Sequence, residues 1–181
     1  MELCYETDRL MLRLLHEGAA PEVLNFYQKN RAVFEDIEPD RPENFYTLEY
    51  QTTLLRCEFQ MAVKRNALRF WIFEKENPDQ VIGTVSFQNI VRSVYQNCHI
   101  GYKFDEQYWH RGYALESIRK AIEVILPEFG LHRIEAFVLP ENEPSIRLLE
   151  RLGFQSEGIC RSCIYLHSSW TDHLRYSFIN P

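Results

Sequence analysis

The middle of the chain changes its hydrophobic period twice, and this restricts the fold more than any other feature of the sequence. Apolar residues alternate with polar ones over Asn97–Phe104, recur at helical spacing over Leu115–Phe129, and alternate again over His132–Val138. A strand, a helix and a second strand in this order form a βαβ unit, in which the strands are parallel and the crossover is right-handed. The segment therefore predicts a parallel strand pair connected by a long helix.

The sequence on both sides of this unit predicts further strands and helices. Further strands are predicted over 10–14, 68–73, 81–90, 155–166 and 170–179, and further helices over 21–30, 47–65 and 142–152. Residues 31–45, which are rich in Pro, Asp and Glu, are predicted to form a loop. These patterns predict one α/β (α+β) domain over residues 1–181, with a mixed, mostly antiparallel sheet of about seven strands and about four helices.

The turn that enters the long helix has small residues where the helix begins. Gly112 and Ala114 leave little side chain over the first helical N–H groups, and Arg111 adds a positive charge beside them. Unpaired N–H groups and the positive end of the helix dipole make such a start a binding place for a phosphate anion. In the alternative interpretation, Gly112 only shapes the turn and Arg111 is a solvated surface residue.

A second polar helix start follows the next strand of the unit. Asn142 is suited to cap the helix that begins there, and Ser145 lies in its first turn. Because the carboxyl ends of parallel strands meet at one edge of a sheet, we expect Asn142 and Ser145 to lie near the Gly112 turn. Helix capping alone is a sufficient alternative role for Asn142.

Several blocks of sequence resemble one family. Residues Trp109-His110-Arg111-Gly112-Tyr113-Ala114 resemble the acetyl-CoA pyrophosphate loop of the GNAT superfamily of acyltransferases, and residues 132–136, 142–145 and 152–154 look like the second half of its domain. Trp109, Tyr113 and the start Arg9–Arg13 are similar to the Rim-type branch, whose members acetylate N-terminal amines of ribosomal proteins. The resemblance implies the GNAT fold, in which the central sheet splays apart at its parallel strand pair.

The resemblance also implies a reaction and a set of site residues. Acetyl-CoA would be the acyl donor, and its acetyl group would pass directly to a primary amine in a ternary complex. Ser145, the implied catalytic residue, would lie near the sulfur and protonate the leaving thiolate. The implied cofactor-binding residues are Ile100, Tyr102, Phe104, Trp109, His110, Arg111, Gly112, Tyr113, Ala114, Asn142 and Ser145.

The general base is where the sequence departs from the branch. Rim-type enzymes are expected to carry a glutamate immediately before an aromatic–leucine pair, but Ile164 precedes Tyr165-Leu166 here. A relayed water molecule, Glu157, Glu35 or Asp36 are the alternatives. Because Ile164 cannot accept a proton, an acyl-CoA-binding sensor without turnover is the alternative function.

Composition limits the partners and the location. A formal net charge of −6 argues against a nucleic-acid partner, and no apolar run approaches the roughly 20 residues of a membrane span. A cytoplasmic location is therefore expected, and five cysteines, an odd number, fit reduced thiols. Cys160 and Cys163 have the spacing of half a zinc site without a second pair, so no metal is expected. The acceptor (a protein N-terminus, a polyamine, an amino acid or a drug) stays open, as does a homodimer.

Overall fold

All the strands of the described chain, from near its N-terminus to near its C-terminus, belong to one sheet. The computed structural model describes residues 1–180, apart from the side chain of Ile37. The strands are β1 (Cys4–Glu6), β2 (Leu10–Arg13), β3 (Leu68–Glu74), β4 (Val81–Val91), β5 (Asn97–Phe104), β6 (Arg133–Val138), β7 (Gln155–Leu166) and β8 (Ser169–Ile179). They form one sheet in the order β1-β2-β3-β4-β5-β6-β8-β7, in which β5 and β6 are parallel and the other described pairs are antiparallel.

Five α-helices accompany the sheet, namely α1 (Ala20–Lys29), α2 (Arg31–Ile37), α3 (Leu48–Val63), α4 (Tyr113–Phe129) and α5 (Glu143–Arg151). Helix α4 connects β5 to β6, so the predicted βαβ unit is confirmed, as is the mixed, mostly antiparallel α/β fold class. None of the helices within residues 1–180 is both long and apolar enough to cross a membrane.

Two elements differ from the sequence prediction. Strand β1 is an additional strand, so the described sheet has eight strands rather than about seven. The loop predicted over Arg31–Phe45 is wrong in its first half, because α2 occupies Arg31–Ile37 and gives five helices rather than about four. The helix forms around Phe34, whose side chain is 3% exposed and packs against the Phe26 and Tyr27 rings. Tertiary burial therefore overrides the polar local sequence.

Two hydrophobic cores hold the helices to the sheet. In one, Ile118 and Ile125 of α4 and Leu149 of α5 pack with the inward side chains of the strands. In the other, aromatic side chains of α1 surround Trp71 of β3. The aromatic residues Phe26, Tyr27, Phe34 and Phe45 all belong to this second core. Each fully buried side chain of this size contributes roughly 1.5–3 kcal/mol of transfer free energy.

Candidate functional site

Strands β5 and β6 separate partway along their length. Their parallel pairing covers three residue pairs and ends at His99 and Glu135. Beyond that point β5 continues to Phe104 paired with β4, while β6 continues to Val138 paired with β8. The edge of β5 that faces β6 therefore leaves the ladder after His99, and backbone groups there are available to a ligand that lies along the strand.

A cavity of about 430 Å³ lies at this opening. Strand β5, the end of β6 and the first turn of α5 supply one part of its wall, and the segment after α2 supplies another. Of the predicted site residues, Ile100, Tyr102, Asn142 and Ser145 line it. Phe104 and the six residues Trp109–Ala114 lie outside its described wall; Phe104 is buried, and the loop follows the same strand toward α4. The structure thus divides the predicted site into a cavity and an adjoining loop.

Two hydrogen bonds connect Asn142, Ser145 and Tyr102 in the cavity wall. Asn142 caps α5, because its side-chain oxygen accepts a hydrogen bond from the Ser145 N–H at 3.2 Å. The Tyr102 hydroxyl donates to the Ser145 hydroxyl oxygen at 3.2 Å. Burial raises the pKa of Tyr102 to about 12, against a smaller opposing effect of the bond to Ser145. Near neutral pH Tyr102 is therefore a protonated donor to Ser145.

The loop before α4 presents backbone rather than side chain. Gly112, the residue before the first turn of α4, has φ +81°, and no side chain caps the helix there. A left-handed φ of this kind strains any residue with a Cβ atom. The indole N–H of Trp109 donates to the Phe104 carbonyl at 2.9 Å and fixes the loop to the end of β5. The first N–H groups of a 17-residue helix are consequently open to an anion.

Arg9, which directly precedes β2, contacts this loop and was not predicted as a site residue. Its guanidinium donates to the Arg111 carbonyl at 3.1 Å and forms an ion pair with Glu116 at 2.6 Å. It also lies 4.5 Å from the centre of the Tyr113 ring. The signal in the sequence is the Arg9–Arg13 start, which carried the resemblance to the Rim-type branch but no indication of this contact.

Charged side chains form another part of the cavity wall. Glu38, from the segment after α2, contacts both Lys103 and Arg41. The Lys103 ammonium lies 5.3 Å and 5.4 Å from the centres of the Tyr27 and Phe34 rings. Burial lowers the pKa of Lys103 to about 8, although Glu38 acts in the opposite direction. This cluster could not be predicted from the sequence, because its members come from widely separated segments.

The carboxylates proposed from the sequence as bases lie away from the cavity. Glu157 accepts hydrogen bonds from Arg133 and from the Ser177 hydroxyl, and these bonds lower its pKa to about 2. Glu35 is paired with Arg31 at 2.9 Å. Neither of them, nor Asp36, belongs to the described cavity wall. Glu157 is a weak base because its pKa is lowered, and none of the three lines the described cavity, so the structure gives these candidates no support.

Cys160 and Cys163 lie in β7, as the sequence predicts. Within residues 1–180 there is no group of three or more His, Cys, Asp or Glu side chains arranged to hold a metal ion. The expectation that no metal takes part stays a prediction.

Comparisons with known proteins agree with this geometry. The family described as "Acetyltransferase (GNAT) domain" matches residues 9–155. The chain is 34% identical over 172 residues to the Probable N-acetyltransferase YjcK of Bacillus subtilis (strain 168), and the alignment covers 95% of this chain and 94% of YjcK.

Two further similarities concern proteins with a stated acceptor. The chain is 31% identical over 177 residues to the ribosomal protein uS5-alanine N-acetyltransferase of Escherichia coli (strain K12), covering 97% of this chain and 90% of that protein. The crystal structure of ribosomal-protein-S5-alanine acetyltransferase from Vibrio fischeri superimposes with a TM-score of 0.92 at 30% identity, covering 99% of this chain and 97% of that one.

Proposed function

We propose, from the premise that this chain belongs to the acetyltransferase (GNAT) family, that it acetylates the α-amino group at the N-terminus of a protein. The chain is an N-acetyltransferase, and enzymes of this family use acetyl-CoA as the acyl donor. The proposal that the acceptor is a protein N-terminus rests on the 31% identity, over 97% of the chain, to an enzyme named for the alanine of a ribosomal protein. These similarities give no support to the alternative of a sensor without turnover.

The donor is assigned to the opening between β5 and β6 and to the loop before α4. Gly112 and Ala114 leave the first N–H groups of α4 uncovered, and Arg111 adds charge, which fits a diphosphate. We assign Trp109, His110 and Tyr113 to the sides of this loop. Ile100, Tyr102 and Phe104 belong to the stretch of β5 that would bind the donor's arm through its backbone, and Asn142 would contact that arm from the start of α5.

The chemistry assigned to the cavity is direct transfer. The unpaired backbone of β5 would hold and polarise the thioester carbonyl. Ser145, the proposed catalytic residue, receives a hydrogen bond from Tyr102, so its own hydroxyl hydrogen is free to be donated to the leaving sulfur. No metal has a role in this scheme.

The proposed acceptor also suggests where in the cell the enzyme would act. Ribosomal proteins are made and assembled in the cytoplasm, so an enzyme that acetylates such an N-terminus would act there. A homodimer stays a proposal for the assembly.

The test is turnover with defined peptides. Thiol release from acetyl-CoA is measured with peptides that begin with a free alanine, and with the same peptides blocked at the N-terminus but carrying a lysine. We expect release with the free N-terminus alone, and an acetyl group on the first residue by mass spectrometry. Binding of CoA without release for any peptide would contradict the proposed acceptor class.

A further inference from the structure

The position where the Rim-type branch is expected to carry its base lies beside a buried histidine. Ile164 of β7 is paired with Thr171 of β8, so the two side chains share one face of the sheet. His173 is two residues further along β8 and lies on that same face, because side chains alternate along a strand. The ladder is irregular here, because His173 is paired with Cys160 and the register shifts between Cys160 and Ile164. The structure therefore places an imidazole one pair along β8 from Thr171, on the face that Ile164 shares.

His173 lines the same cavity as Asn142 and Ser145. Its side chain is 5% exposed, and its Nδ1 atom is buried without a hydrogen-bond partner among the described residues. Buried polar atoms are rarely left unpaired in native proteins, and an exception often marks a place where a substrate or water completes the bond. Imidazole is also the side chain best suited to exchange protons near neutral pH.

The carboxylate in the cavity wall is less suited to this role. Glu38 contacts the ammonium of Lys103 and the guanidinium of Arg41. These two cations already engage its carboxylate, whereas the Nδ1 atom of His173 has no hydrogen-bond partner among the described residues. Among the described residues that line the cavity, His173 is therefore the better candidate for a base.

We propose that His173 is the general base of the acetyl transfer, an inference that rests on the proposed function. The imidazole accepts a proton from the acceptor amine while the amine nitrogen forms its bond to the carbonyl carbon of the acetyl group. The bond between that carbon and the sulfur breaks, and the departing thiolate takes a proton from Ser145. The proton on the imidazole then returns through solvent to the Ser145 oxygen, so that each turnover ends with a neutral amide, a free thiol and both side chains in their starting protonation states.

Other groups around His173 also titrate or carry charge, and the test must separate them. Lys103, with its pKa lowered to about 8, loses its proton on the alkaline side of the pH–rate profile. Protonation of a general base instead lowers the activity on the acid side of that profile. The remaining groups that face His173 or adjoin it are Glu38 and Arg41 after α2, Arg69 of β3, Tyr102 of β5, Cys160 and Cys163 of β7, and Asp172 and Arg175 of its own strand.

The test compares His173→Gln and His173→Ala with a matched control, His99→Gln. His99 lies on β5 against the Phe137 ring and outside the described cavity wall. With acetyl-CoA and an alanine-initiated peptide, we expect kcat to fall roughly 10²- to 10⁴-fold in both His173 variants near neutral pH. CoA affinity should stay unchanged, the loss should shrink as pH rises and the amine deprotonates by itself, and added imidazole should restore part of the turnover of His173→Ala. The His99 variant should behave as wild type.

Turnover of His173→Gln within about threefold of wild type, with the same pH profile, would overturn the inference and leave the proposed function intact. A wild type that binds CoA and acetylates no peptide would overturn both. If the His173 variants do not fold, 2-fluorohistidine is incorporated into the His99→Gln variant instead. This analogue keeps the shape of the imidazole ring and removes the basicity of the ring. Loss of kcat with intact CoA binding then supports the inference, and retained kcat overturns it.

Discussion

The Tyr102 hydroxyl donates a hydrogen bond to the Ser145 hydroxyl oxygen at 3.2 Å and so connects β5 to the first turn of α5 across the opening of the sheet. Because the pKa of Tyr102 is raised to about 12 by burial, the donor stays protonated near neutral pH. Ser145 receives this bond and is left with its own hydrogen to donate. The two residues were predicted from the sequence as separate contacts of acetyl-CoA. In the structure a hydrogen bond joins their side chains.

Replacement of Tyr102 with Phe removes this hydrogen bond and keeps the ring. A hydrogen bond of this kind contributes roughly 0.5–1.5 kcal/mol, so kcat should fall by about 2- to 13-fold with little change in CoA affinity. Steady-state kinetics and calorimetric titration with CoA measure the two effects. Tyr176→Phe is the matched control, because the Tyr176 hydroxyl contacts Glu150 at 3.4 Å and lies outside the described cavity wall. Equal kcat values for the two variants would show that the Tyr102 hydroxyl does not support Ser145.

Replacement of Ser145 with Ala removes the proposed proton donor to the sulfur. We expect kcat to fall by about 10²-fold or more, with a much smaller change in the dissociation constant of CoA. Ser169→Ala is the control, since the Ser169 hydroxyl bonds to the Leu166 carbonyl in the β7–β8 turn. Equal losses in turnover and in affinity for Ser145→Ala would leave this residue with a positioning role only.

Substitutions at Gly112 and Gly130 separate the loss of the proposed diphosphate site from the effect of backbone strain, because both positions have a left-handed φ and only Gly112 lies in the loop. They flank the two ends of α4 with φ +81° and +64°, and a Cβ atom on Gly112 would lie 3.5 Å from the Arg9 guanidinium, whereas nothing lies within 4 Å at Gly130. Glutamate at either position should cost about 1–2 kcal/mol of folding free energy, because both require a left-handed backbone.

Only Gly112→Glu should lose CoA binding, since it places bulk and negative charge over the first N–H groups of α4. Calorimetric titration and thermal unfolding of both variants separate affinity from stability. Identical CoA affinities in the two variants would show that the diphosphate does not bind at this loop.

Glu157 should contribute to stability at neutral pH and not to catalysis. The bonds from Arg133 and Ser177 lower its pKa from 4.5 to about 2. A lowered folded-state pKa gives stability that is present above the unfolded value and is lost as the pH falls from about 5 toward 2.

The melting temperature should therefore fall less steeply over this range in Glu157→Gln than in wild type, and turnover near neutral pH should be retained. Thermal unfolding as a function of pH measures the first effect. Glu143→Gln, which removes an exposed pair with Arg147, is the control and should leave the slope unchanged. Loss of turnover in Glu157→Gln would restore Glu157 as a candidate base.

The fold could be predicted where periodicity extends over many residues, as in α4 and the strands beside it. Strand β1 escaped prediction because it has three residues, too few to show alternation. Helix α2 escaped because its formation depends on burial of Phe34 against aromatic side chains from α1, which local composition does not show. The extent of the domain over residues 1–181 stays a prediction, as do the roles of the site residues.

The candidate site could be predicted where function depends on backbone near small residues, as at Gly112, or on a helix cap, as at Asn142. His173, Arg9 and the Glu38–Lys103 pair could not be predicted, because their meaning lies in contacts between distant segments. Arg9 reaches Glu116 across more than a hundred residues of sequence. Residues that are neighbours in the sequence do not show which distant residues they contact in the fold.

A crystal structure of the protein with bound CoA would show whether the loop before α4 holds the diphosphate. We predict the diphosphate within hydrogen-bonding distance of the backbone N–H groups that begin α4, and the pantetheine arm along the edge of β5 that has left β6. A diphosphate seated elsewhere, with those N–H groups free of the ligand, would contradict the account.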